Sequence, residues 1–112
     1  MTKMITPQQP DLARALDRMW LQFRPQMEER LITLEAAAAA LAAHTLSPEQ
    51  LVAAASAAHK LAGVLGTFGL ARGTELAREL EQHYCALPSP TSAPDLPALT
   101  TELRSIIANR GK

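Results

Sequence analysis

Apolar residues recur every three or four positions along most of the chain. From Leu12 the series runs through Leu16, Met19, Phe23, Met27, Leu31, Leu34, Ala38 and Leu41. That spacing is one continuous face of an α-helix. Pro25 interrupts it, and a proline in a helix interior removes a backbone hydrogen bond and crowds the preceding turn. The pattern therefore predicts a short first helix ending near Phe23 and a second running to about Ala43. Ser47-Pro48-Glu49-Gln50 marks the next start: Ser47 can cap, Pro48 suits the first helical position and Gln50 completes a capping box. The helix that follows carries Leu51, Ala54, Ala58, Leu61, Leu65 and Phe68 on one side, and Gly69 should end it. A further helix has Leu76, Ala77, Leu80, Tyr84 and Leu87 as its inner face. Pro88-Ser89-Pro90-Thr91-Ser92-Ala93-Pro94-Asp95 cannot be helical. A last helix carries Leu96, Leu99, Leu103, Ile106 and Ile107.

No segment alternates as a strand would. The expected fold is all-α: an up-down four-helix bundle with a short additional N-terminal helix. It forms one domain over residues 1–112, with 87–95 as an exposed Pro/Ser-rich loop before the last helix. Alanine and leucine dominate and β-branched residues are sparse, which favours helix nearly throughout.

Charge adds exclusions. Eleven basic side chains balance eleven acidic ones, with no basic stripe, so neither nucleic acid nor an anionic membrane is an expected partner. No apolar run approaches the roughly 18 residues of a membrane span. Met1 to Pro10 has no apolar signal core. Cys85 is the lone cysteine and cannot close an internal disulfide, which together predict a cytoplasmic protein, expected as a monomer.

The helix after Ser47 holds the informative chemistry. At 100° per residue, its core positions centre roughly 30° before Ala58, and His59 lies about 130° from that centre. His59 should therefore face solvent or a partner. Val52, Ser56, Gly63 and Gly66 share its face, with Ala55 and Ala62 on its flank. Side chains on a helix lean toward its N-terminus, so residue 63 lies over residue 59, and there it is glycine. A mid-helix glycine costs roughly 1 kcal/mol relative to alanine. Two such residues on an exposed face make sense if another protein must reach the imidazole. Close helix packing is the competing explanation, stronger for Gly66 than for Gly63.

The run Ala58-His59-Lys60-Leu61-Ala62-Gly63-Val64-Leu65-Gly66-Thr67-Phe68-Gly69, with Leu76 and Leu80-Glu81 after it, resembles the signature of the histidine phosphotransfer (HPt) family. There a histidine is followed by leucine two residues on, glycine four residues on and a second glycine about ten on, and a Leu-Glu pair closes the next helix. His59, Leu61, Gly63, Gly69, Leu80 and Glu81 match. The resemblance implies a phosphorelay module whose His59 accepts a phosphoryl group from a receiver-domain aspartate, a hybrid histidine kinase's receiver included, and returns it to another. It implies a phosphocarrier with no ATP site and no cofactor of its own; the receiver supplies the metal ion and the acidic pocket. Lys60, Gly63, Gly66 and Ala62 would support the site, and Val52, Ala55 and Ser56 would dock the partner. Ala62 departs from the pattern, since many members carry lysine there; Lys60 or an arginine such as Arg72 could replace its charge. The alternative is a docking module of the same fold that is never phosphorylated.

Other residues offer less. His44 sits at a helix end, where a histidine can meet the last carbonyls. His83 and Cys85 are two apart and face different ways, so a metal site is not expected. Trp20 reads as core. Arg72, Glu75, Arg78 and Glu79 read as a solvated face with weak ion pairs.

Overall fold

The computed structural model describes residues 5–86 and 95–110, with side chains from Leu12 onward. Four helices make up this part of the chain: α1 (Ile5–Ala42), α2 (Pro48–Thr67), α3 (Ala71–Ala86) and α4 (Leu96–Arg110). Helix α1 packs on α2 and α4, and α3 packs on the same two, while among the described residues the backbones of the diagonal pairs stay apart. Cross-helix contacts fix the directions. His59 meets Glu81, and Leu65 meets Gly73, so α2 and α3 are antiparallel. Arg104 reaches Glu28 and Glu35 while Arg110 reaches Asp17, so α1 and α4 are antiparallel as well. The all-α bundle expected from the periodicity is the fold observed. Leu87 and the loop over 87–94 lie outside the described residues.

The separate N-terminal helix is not found. Helix α1 runs unbroken through Pro25 for 38 residues. Pro25 is exposed, as is Leu21, whose carbonyl loses the bond that Pro25 cannot make. On that side water can satisfy the carbonyl. Trp20, before the proline, and Met27, Leu31 and Leu34, after it, are all buried in the same core, so packing holds both halves on one axis. The inner face also starts later than the periodicity predicts. Leu12 is 61% exposed and Met19 is exposed too. Among the described side chains the first deeply buried one is Trp20, at the level where Phe68 and Arg110 close the end of the bundle.

The ends of α2 follow local chemistry. Ser47 accepts a hydrogen bond from the Gln50 N–H, and the Gln50 side chain accepts one from the Ser47 N–H. At the other end Gly69 takes φ +72°. The Leu70 N–H bonds the Leu65 carbonyl and the Gly69 N–H bonds that of Gly66, a Schellman turn. Between these ends Ala54, Ala58, Leu61 and Leu65 are fully buried, while Phe68 is half-buried. Truncating a buried leucine to alanine costs about 2–5 kcal/mol, so Leu61 and Leu65 hold the opposite, exposed face of α2 in a fixed orientation.

Candidate functional site

His59 stands at the middle of α2 with its side chain 73% exposed. Its Nδ1 lies 3.0 Å from Oε2 of Glu81 on α3, which is 30% exposed. A carboxylate that is ionised can only accept, so with Glu81 in that form this bond selects the tautomer with the proton on Nδ1. Nε2 has no protein partner among the described residues. Among these same residues no cluster of three metal-ligating side chains occurs, and no helix is long and apolar enough to cross a membrane.

Two clefts flank the imidazole. On the α1 side Met19 and Phe23 face Val64 and Phe68 across an apolar floor, with Gln26, Arg30 and Lys60 also lining it. On the α3 side the walls are Ala62 and Gly63 against Arg78, Glu81 and Gln82. His59 and Gly63 line both. A Cβ built on Gly63 would meet nothing within 4 Å, and one on Gly66 only Thr74 Oγ1 at 3.9 Å. Neither glycine is required by close packing. The packing glycine is Gly73, where a Cβ would meet Leu65 at 3.2 Å and Ile106 at 3.4 Å; no periodicity or motif marks it.

The remaining sequence-predicted positions divide in two. Val52 is 68% exposed, and Ser56 and Lys60 are exposed, whereas Ala55 is half-buried and Ala62 is buried. Arg72 does not reach the site: its guanidinium is bound by Glu102 on α4 and by Glu75. It cannot stand in for a charge at Ala62. His44, His83 and Cys85 line neither cleft.

Comparison with known proteins decides what such an arrangement belongs to. The sequence pattern of the Hpt domain family matches residues 18–109. This chain belongs to the Hpt domain family. It is also similar to Protein RcaC of Microchaete diplosiphon, 34% identical over 94 residues. That alignment takes in 82% of this chain and 14% of the relative, so the Hpt domain spans about one seventh of that protein's length. No solved structure matches. Hpt domains are phosphocarrier modules that exchange phosphoryl groups with receiver domains in phosphorelays.

Within the Hpt domain, sequence reasoning missed the contribution of α3 to the cleft. Glu81 was matched to the family pattern without a role, and Arg78 was assigned to a solvated face. The usable signal was the tight turn at Gly69. Folding α3 back about residue 70 sets 59 opposite 81 and 62 opposite 78, the register seen in the contacts of His59 with Glu81 and of Gly66 with Thr74.

Proposed function

We propose that the Hpt domain carries its phosphoryl group on Nε2 of His59. The observation that carries this reading is an exposed imidazole whose other nitrogen is held by Glu81. The Nε2 lone pair attacks the phosphorus of a receiver phosphoaspartate in line. The N–P bond forms as the acyl P–O bond breaks, and the electron pair leaves with the aspartate carboxylate. No proton has to move: the proton on Nδ1 stays shared with Glu81, whose charge offsets the positive charge that develops on the ring. Such transfer depends chiefly on positioning and charge neutralisation. The bundle contributes a nucleophile on a helix fixed by Leu61 and Leu65, beneath a surface kept bare at Gly63.

The receiver docks over this bare face. Val52 and Ser56 lie along it on the N-terminal side of His59, flanked by Ala55, and the apolar cleft with Met19 and Phe23 continues it. Lys60, Gly63 and Gly66 frame the histidine from within α2. The test is incubation with phosphorylated receiver domains from the same cell, followed by mapping of phosphohistidine. Label on His59 supports the reading. Receiver binding without label on any histidine overturns it and leaves the docking module as the better account, with Ala62 in place of lysine as the cause.

A further inference from the structure

A phosphoryl group on His59 brings about two negative charges to a face that has no side chain at Gly63 and only a methyl at Ala62. Three cations line the clefts beside it: Arg30, Lys60 and Arg78. We propose that Arg78 is the residue that binds the phosphoryl group, reaching it from α3 across the space left open by Ala62 and Gly63. This rests on the assignment of His59 as the acceptor.

Four observations converge on Arg78. It shares with Glu81 the cleft on the α3 side, whereas Arg30 and Lys60 border the cleft on the α1 side. In the antiparallel register, 59 faces 81 and 66 faces 74, which sets Arg78 opposite Ala62, one turn from the imidazole. A Cβ on Gly63 would meet nothing within 4 Å, so a long side chain from α3 has room to lie over this part of α2. Lastly, Arg72, Arg104 and Arg110 are each bound by carboxylates, while Arg78, like Arg30 and Lys60, has no ion-pair partner among the described residues. A guanidinium offers forked donors to phosphate oxygens. Glu81 and Arg78, three residues apart on one helix, then divide the work: the carboxylate holds the ring and the guanidinium holds its cargo.

The experiment uses the full chain and a small donor, phosphoramidate, so that partner docking plays no part. Nε2 forms the N–P bond while the P–N bond of the donor breaks, and ammonia leaves with the electron pair. The half-life of phosphohistidine 59 is then followed by phosphorus NMR, with thermal unfolding of each variant alongside. Arg78→Ala should shorten the half-life roughly tenfold, the effect of losing one hydrogen bond to a charged group, with unfolding unchanged. Arg78→Lys should keep part of it, by retaining a cation at the same exposed position of α3. An Arg78→Ala half-life equal to that of the wild type, with a loss in Arg30→Ala or Lys60→Ala instead, overturns the proposal alone. A half-life in Arg78→Lys as short as in Arg78→Ala also overturns it, since the effect would not be one of charge. If neither phosphoramidate nor a phosphorylated receiver labels His59 in the wild type, the acceptor assignment itself falls, and this proposal with it.

Discussion

The two long sides of α1 treat charge in opposite ways. Toward α4, arginines and carboxylates are matched: Arg104 is clasped by Glu28 and Glu35, and Arg110 pairs with Asp17 while its guanidinium lies 5.2 Å from the Trp20 ring centroid. Toward α2 and the histidine, Arg30 and Lys60 have no carboxylate partner among the described residues. Formal charge over the chain sums to zero, so composition hides this split. A matched cation is committed to the fold. An unmatched one beside an exposed nucleophile is available to an anion that arrives. The difference predicts that substitutions on the α4 side change stability without touching transfer, and that those on the histidine side do the reverse.

The sharpest break of that comparison is at His59. His59→Gln should abolish label from a phosphorylated receiver while shifting stability by no more than about 0.5 kcal/mol, as exposed substitutions do. Thermal unfolding and label transfer on the one variant check both halves. Undiminished labelling would send the search to His44 and His83. Gly63→Leu comes next. A Cβ there would meet nothing within 4 Å, and leucine is the better helix former, so stability should rise by up to roughly 1 kcal/mol. Transfer should fall by more than roughly tenfold, equivalent to about 1.4 kcal/mol of barrier, because the leucine would lie over the imidazole. A fast and stable Gly63→Leu would show that the open surface has no part in access.

On the other side of α1, Arg104→Met should leave transfer at the wild-type rate and cost up to about 1 kcal/mol, the modest value of partly exposed ion pairs. Its pH dependence carries the sharper information. Bonding to Arg104 holds the Glu28 carboxyl below the usual carboxylate range and pushes the Arg104 guanidinium up. A depressed carboxyl stabilises the fold above its unfolded value, and that contribution disappears as pH falls through the folded value. Wild-type stability should therefore drop on acidification through the carboxylate range, and Arg104→Met should flatten that part of the curve. Urea midpoints at neutral and acid pH are sufficient to see it. Equal slopes would mean that the matched side is decorative.

Most of the fold was legible because it is written in local signals. The step of three or four residues gave each helix its inner face, Ser47 and Gln50 gave the start of α2, and Gly69 gave its end. Pro25 misled because a propensity rule has no knowledge of packing: Trp20 and Met27 lie on either side of it in one core. Leu12 and Met19 misled for the opposite reason, since periodicity marks a helix face but not where the neighbouring helices stop. At the site, the exposure of His59 followed from helix geometry alone. Arg78 and Glu81 could not be placed by pattern within α3; their relation to His59 exists only once the turn at Gly69 folds one helix onto the other. Arg72 shows the converse. It looked as available as Arg78 in sequence, and Glu102, thirty residues away, removes it.

The smallest effect concerns the histidine that ends α1. His44 has φ +59°. Its N–H bonds the Leu41 carbonyl, and the Thr45 N–H bonds that of Ala40, the same Schellman pattern that Gly69 closes at the end of α2. Glycine takes this left-handed conformation without a Cβ penalty, whereas an ordinary residue is strained there by roughly 1–2 kcal/mol. Part of that gain is lost because glycine also frees the unfolded chain by about 0.4–1 kcal/mol. His44→Gly should thus stabilise the domain by a net of about 0.5 kcal/mol, seen as a small rise in the urea midpoint at unchanged slope. The same variant separates the histidines by function. His44 lies in neither cleft beside His59, so label uptake from a phosphorylated receiver should match the wild type. Lower uptake at raised stability would make the end of α1 part of the docking face, and would extend the histidine side of the comparison beyond the two clefts that flank His59.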